Sequence, residues 1–394
     1  MLKNIVFALC GCVLSFGLHA QSVSIEGVLT EIEQNNKALQ AMQSYIESKG
    51  LELKSGNNLP DPQLGAYYLP LGEHSMDDYS EFQISQSLEF PTVYGARSSL
   101  IDQQKVQLEL DYKTKRQEIL FTAQKYCLEM IYLSKRQASE QLRVEQAKTV
   151  SDQVQELFSK EQVGILELNK SKVVWLQDQV KVQQIESDQR NLLLLLKNLN
   201  GGKELAFDQD HYLNVLKLES KESLWQTKLT TDPSLIRLKQ QENIAARQLK
   251  LSKNKALPNL TAGYNSQGVS GERFSGVYGG LSIPLWSNRN KVKAAQSNLE
   301  FQESYSVSRT MEQYASFEKQ FNDYQILLAT FNDYQSTLSG LNSDGLLLQA
   351  YQLGEISFME YYIELQFYRQ AYDAMLEMEN QLYQLQADLQ KHQL

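Results

Sequence analysis

The 394-residue chain is 42% hydrophobic and 22% charged, with 20 Gly and 7 Pro. That is a folded composition with few breakers, sufficient for one to three domains. A net charge of −9 and the lack of a long basic patch argue against nucleic acid as a partner.

The chain opens MLKNIVFALCGCVLSFGLHAQ, with Lys3 before an apolar core over 5–18 and Ala20 at a suitable cleavage point. This is the pattern of a secretory signal over 1–20. Lipidation at Cys12 is the alternative. Removal of the signal leaves Cys127 as the sole cysteine. The exported chain then has no intrachain disulfide and is held by packing. Beyond the signal the longest apolar run is 192–196, whereas a membrane-spanning helix needs about 20 apolar residues. If the mature chain crosses a membrane, it does so as strands of a closed barrel.

Residues 24–55 have helical spacing, with Ile25, Val28, Leu29, Ile32, Leu39, Met42, Ile46 and Leu53 on one face. A first β-hairpin follows at 60–91. In it Phe82, Ile84, Gln86, Leu88 and Phe90 alternate with Glu81, Gln83, Ser85, Ser87 and Glu89. From 92 to 232 there is no proline, and 97–160 reads as one helix about 96 Å long at ~1.5 Å per residue. Ala147, Val150, Val154 and Leu157 mark a coiled-coil seam near its end. Gly164 is the turn, and a return helix over 168–200 carries Val173, Leu176, Val180, Leu192, Leu195 and Leu199. Asn200-Gly201-Gly202 stops it.

Residues 203–231 form a mixed segment. Asp232-Pro233 starts a new helix, with Asp as cap and Pro in the first turn. It carries Leu235, Leu238, Ala245 and Leu249 to a second hairpin at 258–286, where Ser275, Val277, Gly279, Leu281 and Ile283 alternate with Gly276, Tyr278, Gly280 and Ser282. A second Pro-free helix over 287–350 shows a heptad seam from Tyr314 to Leu338. Gly354 is its turn, and 358–389 returns.

The halves repeat. Leu39, Leu53, Pro62 and Leu64 match Leu235, Leu249, Pro258 and Leu260 at an offset of 196, Leu88 and Pro91 match Leu281 and Pro284 at 193, and Gly164 matches Gly354 at 190. Each unit, 21–202 and 232–394, is helix, hairpin, long helix, Gly turn, return helix. Four strands leave open edges and cannot cross a bilayer alone. Three chains would close a 12-stranded barrel, inside the range of about 8 to 26 strands. The fold class expected is mainly α with a small β part: a duplicated helix–β-hairpin–long helix repeat whose strands combine with those of other chains into one barrel.

In the duplicated order of LPDPQL and LPNL strand starts, QSLEFP and GLSIPL strand ends, and VGILELNKSK and LGEISFMEYYIELQ turns, the chain resembles the TolC family of outer-membrane efflux ducts over about 25–390. The resemblance implies a homotrimer in outer-membrane lipid, its trimeric 12-stranded outer-membrane β-barrel continuous with a periplasmic α-helical barrel, that works with a periplasmic adaptor and an inner-membrane transporter and does no chemistry itself. A type I secretion duct has the same architecture. A periplasmic coiled-coil scaffold is the alternative that needs no alternating strands.

By the same resemblance the closed periplasmic tip is formed by the helix turns at Gly164 and Gly354. Acidic residues past the second turn ring the pore, which points to Glu360, with Ile363 or Glu364 near a second position. Tyr351 matches a closing tyrosine; its acidic partner's position falls on Asn169 and a basic one near Ile356, both departures from the family pattern. Read from the residues alone, the alternatives are a solvated helix carboxylate for Glu360 and seam packing between helices for Tyr351. Phe90, Tyr94 and Trp286 lie at the hairpin bases, where an aromatic girdle at the membrane interface belongs; local packing is the alternative. Met359, Met375 and Met378 lack ligand spacing, and His19, His74, His211 and His392 form no metal motif. No phosphate loop or nucleophile–base pair appears, so neither enzymatic activity nor a cofactor is expected.

Overall fold

The computed structural model describes residues 24–69, 78–213, 216–269, 271–341 and 343–394. The signal segment with Cys12 and His19, and most of the first hairpin loop with His74, lie outside the described residues.

The elements in order are α1 (Ile25–Asn35), α2 (Lys37–Ser55), β1 (Gln63–Leu69), β2 (Tyr79–Leu88), α3 (Pro91–Ser159) and α4 (Ile165–Leu199). Then come α5 (Lys221–Thr231), α6 (Pro233–Asn254), β3 (Asn259–Val269), β4 (Glu272–Ser282), α7 (Lys291–Ser339), α8 (Ser343–Gln352) and α9 (Phe358–Gln390). The expected order holds, with three adjustments. The first helix is two, because Asn36 caps both: its backbone N–H closes α1, and its side chain accepts from the N–H groups of Ala38 and Leu39 at 3.0 and 3.1 Å. The mixed segment carries α5, capped by Ser220. The second long helix ends at Gly340 rather than running to 350.

Helix α3 has 69 residues, about 104 Å at ~1.5 Å per residue. It starts at Pro91, six residues before the expected position, because a proline at the first helical position needs no N–H acceptor. In the second half the equivalent stretch is a turn, and α7 starts only after Asn290, which has φ 64°. Asp232 caps α6 as expected, accepting from Ser234 N–H at 2.9 Å.

The two hairpins join into one antiparallel sheet of order β1-β2-β3-β4. Buried side chains form several clusters along the molecule. One holds Val28, Ile32, Leu39, Ala123, Cys127 and Leu196. A second seals Phe317, Phe321, Tyr324 and Phe331 against Leu382 and Leu389 with Trp225. A third lies at the helix turns, and a fourth, around Val93 and Leu100, beneath the sheet. Phe317, Phe321, Tyr324 and Phe331 of the expected α7 seam are thus buried, while Tyr314 and Gln335 near its ends are exposed, and Val173, Leu176, Val180 and Leu195 on α4 are exposed within the chain. Among the described residues no helix is long and apolar enough to cross a membrane.

Candidate pore wall and helix-turn tip

Residues directly opposite in an antiparallel sheet project from the same face. The register places Leu64, Ile84, Tyr264 and Val277 in one row across all four strands, and Leu88, Leu260 and Leu281 in another. On the opposite face Gly65, Gln83, Asn265 and Gly276 form one row, and Tyr67, Glu81, Gln267 and Phe274 the next. The first face is therefore mainly apolar and the second mainly polar, with Tyr67 and Phe274 the aromatic members of the second on the edge strands. The apolar one is the more exposed: on β2, Phe82 and Ile84 are exposed while Tyr79, Glu81, Gln83 and Ser85 are half-buried. The edge strand β4 is exposed on both faces, Val277 at 87%, so the inner strands carry the contrast. A sheet folded for water has the reverse arrangement.

The polar face is hydrogen-bonded across strands. Tyr79 Oη donates to Glu81 Oε2 at 2.6 Å, and Asn265 Nδ2 donates to Glu81 Oε1 at 2.8 Å. Gln83 Nε2 donates to Tyr278 Oη, two strands away. The outer edges of β1 and β4 pair with no other strand among the described residues.

At the sheet base the three aromatic candidates differ. Trp286 is 81% exposed. Phe90 caps α3 and packs beside Val93, Ala96 and Leu251. Tyr94 Oη accepts from the Glu89 N–H at 3.2 Å, and the Arg97 guanidinium lies 5.6 Å from its ring centroid.

The far end is built by two helix turns. After α3, Glu161 takes φ 59° and Gln162 N–H returns to Leu157 O at 2.9 Å. After α8, Gly354 takes φ 74° and Glu355 N–H returns to Ala350 O at 2.9 Å. Both closures have the 6→1 bond of the Schellman motif. Glu161 and Gly354 are therefore the equivalent positions, at an offset of 193. Gly164 instead has extended backbone and caps α4, where Ser357 caps α9. The pairing of Gly164 with Gly354 at 190 is thereby corrected: both glycines lie in the turns, at different places. A left-handed residue does not have to be glycine, and in the first half it is Glu161.

The corrected alignment pairs Glu360 with Glu167, third residue of α9 and α4 respectively. Glu360 is exposed and makes a capping box: Ser357 N–H donates to Glu360 Oε2 at 2.8 Å, and Glu360 N–H donates to Ser357 Oγ at 3.2 Å. The backbone N–H and then the hydroxyl of Ser357 lower the Glu360 pKa. Tyr351 stacks on Tyr361 at 5.3 Å and meets Phe358 edge-on at 6.3 Å. Its pKa is raised, first by burial and then by the Glu167 carboxylate. The acidic neighbour of Tyr351 is thus Glu167. Asn169 is exposed on α4, as are Ile165, Leu166 and Leu353 around the turns. Counting from each helix start instead of from the glycines would have found Glu167.

Between sheet and tip, α3, α4 and α9 share a buried ionic network. Arg143 donates to Glu140 at 2.6 Å and to both Asp373 oxygens at 2.8 and 3.0 Å. Arg369 donates to Asp178 at 3.2 Å and to Gln146 at 3.1 Å, and Lys181 donates to Asp178 at 3.1 Å. Three positive and three negative groups balance there. Among the described residues no cluster of three or more His, Cys, Asp or Glu has metal-site geometry.

No protein-family model and no curated protein matches the chain by sequence. Solved structures do match by fold. CusC, described in terms of folding and transmembrane channel formation, superposes with a TM-score of 0.77 at 12% identity, over 93% of this chain and 91% of that one. The CmeC outer membrane channel of Campylobacter jejuni gives 0.73 at 13% identity, over 100% and 93%. The MtrE outer membrane channel of Neisseria gonorrhoeae, in its open state, gives 0.69 at 12%, over 94% and 89%. The chain has the fold of the TolC-like outer-membrane channels.

Proposed function

We propose that the chain is the outer-membrane channel of a tripartite efflux system, a member of the TolC family that conducts substrates passively from an inner-membrane transporter and a periplasmic adaptor to the exterior. The observation that carries this reading is the inverted sheet: on its inner strands Phe82, Ile84 and Tyr264 are exposed while Glu81, Gln83, Asn265 and Gln267 on the other face are half-buried. Such a surface is stable against lipid. Three copies joined through the free edges of β4 and β1 make a closed 12-stranded wall with Glu81, Gln83, Asn265 and Gln267 inside. Closure satisfies the edge N–H and C=O groups, which a bilayer demands.

The same trimer covers the exposed Val173, Leu176 and Val180 stripe of α4 with a neighbouring subunit. The helical arms extend into the periplasm, and the turns at Glu161–Gly164 and Gly354 form the closed, adaptor-facing end. Glu167 and Glu360 face that mouth, and Trp286 marks the membrane boundary. The test is the full chain purified from membranes. It should resist carbonate extraction, migrate as a detergent-stable trimer and form discrete conductances in planar bilayers. A monomeric chain, soluble without detergent, would overturn the reading.

A further inference from the structure

Glu81 and Glu272 are the two charged residues that β1–β4 carry on the polar face, and both are acidic. The remaining charge of the strands, Arg273, pairs in register with Gly268 and Ser80 and so belongs to the apolar face. Glu272 shares a row with Val269, Tyr79 and Leu69, next to the tight turn between β3 and β4; Glu81 is one row further in. The rows are two residues apart, about 6.6 Å at ~3.3 Å per residue. Both carboxylates therefore lie near the sheet end farthest from the helices, at the opposite end of the molecule from Glu360.

Glu81 is also fixed in place. One donor holds each of its oxygens, Tyr79 on its own strand and Asn265 on the next. Both donors are neutral, so the charge is oriented across the face and is not cancelled. A fixed carboxylate in a low-dielectric wall focuses its field into the adjoining water.

From this we infer that Glu81 makes the outer mouth of the conduit a charge filter in its own right, separate from Glu360 at the other end, favouring small cations and cationic solutes over anions. The inference rests on the channel reading above. In the trimer three Glu81 carboxylates surround one lumen, with three Glu272 carboxylates one row outward. No bound ion is required: the carboxylates act through their field. A potential of about half a kT enriches cations and depletes anions enough to raise their ratio about threefold.

The test is the reversal potential of single channels of the full-length protein under a KCl gradient, in wild type, Glu81→Gln, Glu81→Asp and Gln83→Glu. Glu81→Gln should lower the cation-to-anion permeability ratio about threefold, most clearly at low salt, where the Debye length exceeds ~10 Å. Glu81→Asp should keep the wild-type ratio. Gln83→Glu, which adds a carboxylate one row further in on the same face, should raise it. Conducting Glu81→Gln channels with an unchanged ratio would overturn the inference. If Glu81→Gln fails to assemble, Gln83→Glu decides: a raised ratio supports the inference and an unchanged one overturns it. Wild-type protein that forms no channel would instead overturn the channel reading itself.

Discussion

Arg369 and Asp178 form an ion pair of 3.2 Å with side chains only 5% and 2% exposed, and they belong to different halves of the chain. Asp178 is on α4 and Arg369 on α9, so the pair ties the return helix of one half to that of the other. Arg143 strengthens the tie by bridging α3 to Asp373 of α9. Removing one member of a buried pair leaves an uncompensated charge, which costs about 3–5 kcal/mol. Asp178→Asn is therefore expected to destabilise the helical arm. Limited proteolysis should show new cleavage within α3, α4 and α9, while Lys49→Gln on exposed α2 should change nothing.

Gly201 supports a second joint between elements. It has φ +68°, and a Cβ there would sit 2.4 Å from Asn35 O. The contact belongs to the knot where Asn35 Nδ2 donates to Asn200 Oδ1 at 3.0 Å and Asn36 Nδ2 donates to Leu199 O at 2.8 Å. Strain at a left-handed non-Gly residue costs about 1–3 kcal/mol before the clash is counted. Gly201→Ala should lower the thermal midpoint, and Gly202→Ala should do less, because nothing lies within 4 Å of its Cβ position. Equal effects would remove the Asn35 contact from the explanation.

Glu360 allows a clean separation of charge from structure. Gln can complete a capping box as Glu does. Glu360→Gln therefore keeps the start of α9 while deleting the carboxylate. Cation preference in planar bilayers should weaken with the trimer yield unchanged. Unaltered selectivity would place Glu360 away from the pore mouth.

His392 gives the packing around α9 a pH dependence. Its pKa is lowered, first by burial, then by the Lys228 ammonium; the Leu389 carbonyl and the Asp232 and Glu219 carboxylates oppose the shift without reversing it. With the folded value below the unfolded one, the unfolded chain binds more protons between them. Stability is then complete above the unfolded value of about 6.5 and declines as pH falls through it. Denaturant midpoints should drop from pH 7 to pH 5, and His392→Gln should flatten that part of the profile.

Much of the architecture follows from residue spacing, and the departures have local causes. The period-two alternation from Phe82 to Leu88 predicts the two-faced strand, and Asp232-Pro233 predicts the start of α6. The break at Asn36 escapes a reading of apolar periodicity because the same face continues on both sides of it. Glycine does not mark the equivalent turn positions, because the chain places Glu161 in the left-handed conformation that Gly354 takes in the second half. Periodicity also detects the Val173–Val180 stripe without saying what covers it: among the described residues of one chain it stays exposed. The pairing of Arg369 with Asp178, 191 residues apart, depends on how three helices pack and has no signature in local sequence.

The central claim is that the apolar rows face lipid and the polar rows face water. Neighbouring residues on β4 test it directly, since Val277 and Gly276 project from opposite faces. Cys127 is fully buried with its thiol pKa pushed up to about 12, so it should not compete for label in the folded protein. Fluorophores are placed on Val277→Cys and Gly276→Cys in reconstituted vesicles. The account predicts that the first is quenched by lipid-bound nitroxide and the second by iodide in water. Iodide quenching of both, with no effect of the lipid quencher, would contradict it.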